Sequence, residues 1–226
     1  MIPEKVEKLL LKVQKPGRYV GGELGAVIKD KQEVDVRFAF CFPDIYEIGM
    51  SHLGMKILYG LKNQVPNWWC ERVFMPELDF ETLMRENDIP LFTLESRTPV
   101  REYDLLGITL PTEMNYTNVL EALDLAGIPL HASDRKDDPF VVIGGTCAFN
   151  PEPLWPFVDL VALGDGEEEI VQLVRSRLPR HYRVSPTDIQ VLTPMQRSVV
   201  GASNLNQVLQ EAVNPGSIGL NPAQRC

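Results

Sequence analysis

Short apolar segments alternate with amphipathic helical segments along the first 170 residues of the chain. Five apolar segments predict strands: VDVRFAFCF (34–42), WWCERVFMP (68–76), YDLLGITLP (103–111), PFVVIGGT (139–146) and VDLVALGDG (158–166). Helical periodicity precedes or separates them at residues 4–13, 51–61, 80–88 and 116–126. This alternation is typical of a parallel sheet that helices cover on both faces. We therefore predict an α/β fold whose ligands bind beyond the carboxyl ends of the strands.

Individual residues indicate where the predicted helices begin and end and which face of the first helix is apolar. The first helix places four apolar residues on one face: Val6, Leu9, Leu10 and Val13. Ser51 is predicted to cap the following helix, and Gly127 suits the position after a helix end. PLFTLES (90–96) predicts a short extended segment.

The alternation of predicted strands and helices is interrupted near residue 178. A shorter predicted unit follows. A linker broken by prolines leads to a sixth predicted strand, DIQVLTP (188–194), and a predicted helix at 202–213. The sequence therefore predicts three regions. They are an N-terminal helix and loop extension (1–33), an α/β domain (34–170) and a C-terminal fragment with a partly disordered tail (171–226).

Composition narrows the class of protein. The chain has 44% hydrophobic and 23% charged residues, as soluble globular proteins do, and its net charge is −9. No apolar run approaches the roughly 20 residues of a membrane helix, and the N-terminus lacks the apolar centre of a signal peptide. We expect a cytoplasmic protein with reduced thiols and no membrane partner.

The predicted strand ends carry glycines and small polar residues. Gly144–Gly145 end the fourth strand, and Gly164 and Gly166 end the fifth. Glycine lets a ligand approach the backbone closely, and a following helix start offers N–H groups to anions. Glycine at such corners is also common for steric reasons alone, so both interpretations stay open.

The order and spacing of these segments resemble the cobalamin-binding domain of radical S-adenosylmethionine (SAM) proteins. The residues that carry the resemblance are Pro43, Tyr46 and Leu53–Gly54; Gly107–Ile108–Thr109; Val142 to Gly145 with Asn150–Pro151–Glu152; and Asp159 to Glu167. It covers about residues 1–170. It implies a flavodoxin-like (Rossmann-like) parallel sheet with helices on both faces and cobalamin lying over the strand ends.

The resemblance also implies which residues line the corrin and its nucleotide tail. They are Pro43, Tyr46, Ser51, His52, Leu53, Gly54, Thr109, Thr112, Gly144, Gly145, Thr146, Gly164, Gly166 and Glu167. The glycines would allow close backbone approach, and the hydroxyls would meet the amide side chains of the corrin. No catalytic residue and no metal ligand is predicted.

His52 is the one histidine in this set. Cobalamin proteins that bind cobalt through histidine use the motif D-x-H-x-x-G. Here Ser51 precedes His52, Asp44 lies too far upstream and Gly54 comes one residue too early, so the motif is absent. We expect His52 to be a helix N-terminal residue or a hydrogen-bond donor to the corrin rim.

Radical SAM enzymes hold a 4Fe–4S cluster on a CxxxCxxC loop, which the 226 residues do not contain. The cysteines are Cys41, Cys70, Cys147 and Cys226. We therefore do not expect SAM or the cluster on this chain, and its being an enzyme stays open. The resemblance implies a cobalamin-binding module that stops before the catalytic barrel, acting alone or with a separate radical SAM barrel protein.

A second resemblance begins near residue 170. The segment at 170–215, which includes RLPRHYRVSPTDIQVLTPM, is similar to the C-terminal motor domain of RecD-like DNA helicases. A Walker A loop is absent from the whole chain, so helicase activity is not expected. Residues 171–226 contain six arginines, no lysine and only two acidic residues. Weak nucleic-acid binding, a solvated basic face and a non-functional chimeric product remain alternatives.

Overall fold

A computed structural model of the chain describes residues 2–163. In this part of the chain five parallel strands form one sheet in the order β2-β1-β3-β4-β5. The strands are β1 (Val36–Phe42), β2 (Trp68–Phe74), β3 (Leu105–Thr109), β4 (Phe140–Gly144) and β5 (Leu160–Ala162). The predicted α/β class is confirmed, and the strand order is that of flavodoxin-like folds. The elements predicted at 188–194 and 202–213 lie outside the described residues.

The helices of the described region lie before and between these strands. They are α1 (Ile2–Leu9), α2 (Tyr46–Ser51), α3 (Leu53–Gln64), α4 (Leu78–Glu86) and α5 (Tyr116–Ala126). The helix predicted at 116–126 is confirmed, and Gly127 follows it with a left-handed φ of 67°. The helix predicted at 4–13 gives way to a 3-10 turn at Leu10–Lys12. The helix α2 was not predicted.

Helices cover both faces of the sheet. On one face α3 packs on aromatic and sulfur side chains of β1 and β2, in a cluster of Phe40, Phe42, Met55, Tyr59 and Cys70. On the other face α5 packs on β3 and β4, with Leu106, Ile108, Val119, Leu123, Val141 and Ile143 fully or nearly fully buried. A third cluster joins α1 to α4 through Val6, Leu9, Phe80 and Met84. The predicted apolar face of α1 is therefore buried in the fold.

The outer edge of β2 is covered by an irregular loop. Residues 90–96, predicted as an extended segment, form no strand, although Phe92 makes an isolated bridge to Pro99. The Leu94 N–H donates to the Arg72 carbonyl at 2.8 Å, and the Arg72 N–H donates to the Glu95 carboxylate at 2.7 Å.

The N-terminal extension is anchored to the same side of the sheet. The Lys29 ammonium donates to backbone carbonyls at the end of α3 and the start of β2, including Asn63 at 3.0 Å and Trp68 at 2.6 Å. The Val27 N–H donates to the Tyr59 hydroxyl at 2.7 Å. Within residues 2–163 no helix has both the length and the apolar character needed to cross a bilayer.

Candidate functional site

The carboxyl edge of the sheet has its topological switch between β1 and β3. Connections from these two strands leave toward opposite faces, and ligands of such folds bind in the resulting crevice. Two side-chain amides bridge the switch, because Asn115 and Asn118 both donate to the Pro43 carbonyl, at 2.9 and 2.8 Å. Pro43 and Asn115 are buried, so the bridge fixes the loop after β1 to the start of α5. The sequence prediction included Pro43 but missed both asparagines.

The loops after β3 and β4 are joined by backbone hydrogen bonds. The Leu110 N–H donates to the Gly144 carbonyl at 2.7 Å, and the Cys147 N–H donates to the Leu110 carbonyl at 3.1 Å. Gly145 has a φ of 104°, and a Cβ there would lie 3.0 Å from the Leu110 carbonyl oxygen and 3.1 Å from the Thr109 hydroxyl. Gly145 is therefore required by the backbone, which accounts for this glycine without any ligand.

Two further hydroxyls lie on these loops. The Thr112 hydroxyl donates to the Asn115 side-chain oxygen at 2.8 Å, and the Thr146 hydroxyl donates to the Pro111 carbonyl at 3.3 Å. Both threonines are exposed to solvent. Each hydroxyl keeps lone pairs that can accept a hydrogen bond from a ligand amide. The structure thus brings Thr109, Thr112, Gly144, Gly145 and Thr146 into the same group of loops.

Tyr116 ties these loops to α5 and was missed by the sequence analysis. Its hydroxyl oxygen lies 2.8 Å from the Cys147 carbonyl oxygen and 2.9 Å from the Asn150 carbonyl oxygen, and its single proton can be donated to either. Removal from water, with a smaller contribution from Cys147, raises the pKa of this phenol. A tyrosine at the first position of a predicted helix was the available signal, but its partners lie about 30 residues away in the sequence.

His52 is the N-cap residue of α3. Its Nδ1 accepts a hydrogen bond from the Met55 N–H at 3.2 Å, and its ring lies 5.1 Å from the Phe42 ring. The expectation of a helix N-terminal role is confirmed. Because Nδ1 accepts, the neutral ring carries its proton on Nε2, and Nε2 then has no free lone pair for a metal. Among the described residues no group of three metal-binding side chains occurs.

The prediction that Ser51 caps this helix is wrong. Ser51 is the last residue of α2, and its hydroxyl donates back to the Ile48 carbonyl at 2.8 Å. Gly54 lies beside the cap, where a Cβ would approach the His52 ring to 3.0 Å. The chain therefore places Ser51, His52, Leu53 and Gly54 at one corner between two helices.

Tyr46 lies apart from the joined loops. Its ring contacts Phe74 at the end of β2, with ring centroids 5.5 Å apart. Burial, together with the neighbouring Glu23 carboxylate, raises the pKa of the Tyr46 phenol. Because β2 and β3 flank β1 on opposite sides, Tyr46 and the three threonines lie on opposite sides of β1. The structure does not bring Tyr46 together with those residues.

Apolar side chains project from the same edge into solvent. Leu53 follows β1, Met114 follows β3 and Phe149 follows β4; they are 68%, 86% and 66% exposed. Because these three strands are adjacent and parallel, the segments that follow them leave the same edge of the sheet. We call these residues the apolar rim. Sequence analysis predicted Leu53 but not the other two.

Some predicted site residues lie outside the described part of the chain. They are Gly164, Gly166 and Glu167. The helicase-like segment at 170–215 lies outside it as well, so nucleic-acid binding stays a prediction. Its test is salt-dependent DNA binding by the full chain that disappears when residues 171–226 are removed.

The sequence of this chain matches the model of one protein family. The sequence model of the N-terminal region of radical SAM proteins matches residues 54–185, which is more than half of the chain. The match includes the loops after β3 and β4, and it continues past residue 170, where the boundary of the α/β domain was predicted. No curated protein matches the chain significantly.

Proposed function

Because this chain belongs to the family of N-terminal regions of radical SAM proteins, we propose that it is a cobalamin-binding module. The cofactor would lie over the carboxyl edge of the sheet, at the switch between β1 and β3. The α/β architecture supports this placement, since open parallel sheets bind ligands at this edge.

The observation that carries the proposal is the apolar rim. Leu53, Met114 and Phe149 are exposed on segments that follow three adjacent strands, at the carboxyl edge where ligands of such sheets bind. Scattered exposed apolar residues are normal, but three that follow adjacent strands fit a large, flat, mostly apolar ligand. A corrin ring has this character on its faces.

Polar atoms of the loops after β3 and β4 could form hydrogen bonds with the edge of such a ligand. The exposed hydroxyls of Thr112 and Thr146 already donate to protein oxygens, so they are left as acceptors for amide N–H groups. His52, with Nδ1 used in the helix cap, would offer Nε2–H to an amide carbonyl. Bound cobalamin would supply group-transfer or radical chemistry at its cobalt. This chain would contribute binding and orientation.

We further propose that the iron–sulfur chemistry of the family is supplied from outside this sequence. None of the 226 residues forms a CxxxCxxC motif, so neither the cluster nor SAM is assigned to residues of this chain. A separate radical SAM barrel protein is the proposed partner, and the apolar rim would then be shared between the corrin and that partner.

The test is retention of hydroxocobalamin by the purified full chain after desalting, measured by absorbance. We expect close to one corrinoid per chain. Leu53→Asp and Met114→Asp should each lower the affinity at least about tenfold, because a charge would then face the ring. Leu11→Asp is the matched control, since Leu11 is 94% exposed and lies in the turn after α1. We expect it to bind like the unaltered chain.

The role of His52 is tested on the same material. The His52→Ala variant should leave the absorbance spectrum of the bound corrinoid unchanged, because the imidazole is not a cobalt ligand. A spectral shift in this variant would overturn the conclusion that His52 is not a cobalt ligand. Absence of retained corrinoid on the unaltered chain would overturn the proposed function itself.

A further inference from the structure

Met114 of the apolar rim differs from the other methionines of the described residues in its access to solvent. It is 86% exposed. Three others are nearly fully buried in the core: Met55, Met75 and Met84. The reaction of a methionine sulfur with an oxidant in water depends on the exposure of that sulfur. These three thioethers are therefore shielded, and the Met114 thioether is open.

Met50 is the methionine with which Met114 has to be compared. It is half-buried in α2, and Arg72 Nη1 donates a hydrogen bond to its sulfur at 3.2 Å. The positively charged guanidinium draws electron density from the sulfur, and an oxidant needs that density to form a sulfur–oxygen bond. Met50 is therefore less reactive than Met114 for two reasons, its smaller exposure and its charged hydrogen-bond donor.

The backbone around Met114 is held in place. Met114 is the middle residue of a single turn at Glu113–Asn115, which follows β3. Asn115 is 4% exposed, its side-chain amide donates to the Pro43 carbonyl at 2.9 Å, and its backbone N–H donates to the Thr112 carbonyl at 3.2 Å. The turn therefore keeps the Met114 side chain at the carboxyl edge of the sheet, beside the switch between β1 and β3.

We propose that Met114 is an oxidation site for peroxides, and that its oxidation weakens ligand binding at the apolar rim. A lone pair of the sulfur attacks one oxygen of hydrogen peroxide, so that a sulfur–oxygen bond forms and the oxygen–oxygen bond breaks. The hydroxide that leaves takes the proton of the transferred oxygen and becomes water. The products are one methionine sulfoxide and one water; the sulfur is oxidised by two electrons, and the peroxide is reduced by two.

The effect on binding rests on the proposed function, in which the apolar rim faces a corrin ring. A thioether is apolar and polarisable, whereas a sulfoxide has a strongly polar sulfur–oxygen bond that water solvates. The other two residues of the rim, Leu53 and Phe149, have no side-chain donor that could bind the sulfoxide oxygen. Covering this oxygen with an apolar ring therefore costs free energy, and we expect at least about threefold weaker binding of hydroxocobalamin.

The first experiment treats the full chain with hydrogen peroxide and follows each methionine by peptide mapping and mass spectrometry. We expect Met114 to be oxidised about tenfold faster than Met50, whose sulfur is held by a charged donor. The three buried methionines should react last. Met1 and Met195, which lie outside the described residues, are followed as separate peptides. Oxidation of Met50 before Met114 would overturn the proposed site.

The second experiment measures the affinity for hydroxocobalamin before and after oxidation. Peroxide is removed with catalase, and dithiothreitol reduces the thiols without reducing methionine sulfoxide. Binding by the oxidised chain should be at least about threefold weaker, and a methionine sulfoxide reductase should restore it. Met114→Gln, which is polar and uncharged like the sulfoxide, should show a comparable loss without peroxide. Met114→Leu has no sulfur at this position, so its affinity should be the same before and after treatment.

Failure of this inference differs from failure of the proposed function. If the untreated chain retains no hydroxocobalamin, the proposed function is wrong, and the effect of Met114 on binding is wrong with it. If the untreated chain retains hydroxocobalamin and complete oxidation of Met114 leaves the affinity unchanged, the inference alone is wrong. A loss of affinity in Met114→Leu after peroxide that equals the loss in the unaltered chain would assign the effect to another residue and would also overturn the inference.

Discussion

Arg72 binds both carboxylate oxygens of Glu95. Its backbone N–H donates to Oε2 at 2.7 Å and its Nε donates to Oε1 at 2.6 Å. The Arg72 side chain is 7% exposed, and the Glu95 side chain is fully buried. The guanidinium also contacts Glu23 at 3.2 Å and the Tyr59 ring at 4.6 Å. This pair fixes the loop after α4 onto the outer edge of β2.

Replacing Glu95 by Gln should destabilise the fold strongly. The amide NH₂ would face a donor of Arg72, and the buried guanidinium would keep only the Glu23 carboxylate. We expect a loss of about 3 kcal/mol in the free energy of unfolding, measured by urea denaturation. The control is Asp124→Asn, which breaks the Arg85–Asp124 pair, whose side chains are 48% and 56% exposed, and should cost less than about 1 kcal/mol. Equal losses would contradict the assigned role of Glu95.

Gly107 should be intolerant of a side chain because the Phe38 ring occupies that space. Gly107→Ala is expected to destabilise the protein by about 1–3 kcal/mol through overpacking. Adding Phe38→Leu should recover part of this loss, since the shorter side chain frees the space. Gly60→Ala is the control, because nothing lies within 4 Å of its Cβ and alanine favours helix α3. Urea denaturation of Gly107→Ala, Phe38→Leu, the double variant and Gly60→Ala measures the coupling, and the absence of coupling between Gly107 and Phe38 would contradict the packing.

The cap at His52 predicts opposite outcomes for two substitutions. His52→Ala removes the acceptor for the Met55 N–H and should cost about 1 kcal/mol of stability. His52→Asn restores a short side-chain acceptor and should be close to the unaltered protein. Urea denaturation distinguishes them, and a similar loss in both variants would show that packing on Phe42 matters more than the cap.

The three cysteines of the described region should differ in the rate at which their thiols are alkylated. Burial raises the pKa of Cys41 to about 12 and raises that of Cys70 as well, so neither forms the reactive thiolate at mildly alkaline pH. Cys147 is only half-buried. Iodoacetamide followed by peptide mapping should label Cys147 in the folded protein. Cys41 and Cys70 should react only in denaturant or when the pH approaches their raised pKa values. Early labelling of Cys41 would contradict its burial.

The positions of the strands could be predicted from sequence because each is an apolar run that ends at proline, glycine or aspartate. The order of the strands could not be predicted in this way. Alternation along a strand says which residues share a face, but it does not say which strand is the neighbour. The flavodoxin-like order came from the family resemblance, and the structure has that order.

The error at Ser51 has a physical explanation. Serine is a better N-cap than histidine by general preference, so the sequence favoured Ser51. The helix α2 was missed because Gly49 is a poor helix former, yet Gly49 is required there since a Cβ would overlap the Phe74 ring. Once α2 extends through Ser51, the next acceptor available to start α3 is His52.

Buried charge was the other feature that sequence could not indicate. Glu71 and Arg72 lie side by side within β2 and are almost entirely buried. Their partners come from distant segments: Arg37 and Tyr103 for Glu71, and Glu95 and Glu23 for Arg72. A local pattern cannot predict pairing across such distances, so these residues would be placed on the surface by sequence alone.

The loop that closes over β2 also limits how this sheet can meet other polypeptides. An edge strand with free backbone groups recruits strands from neighbouring molecules, which is a common route to aggregation. At Arg72 the outward N–H is used by Glu95 and the outward carbonyl by Leu94. A strand from another molecule therefore cannot pair with β2 at Arg72 without first breaking these two hydrogen bonds.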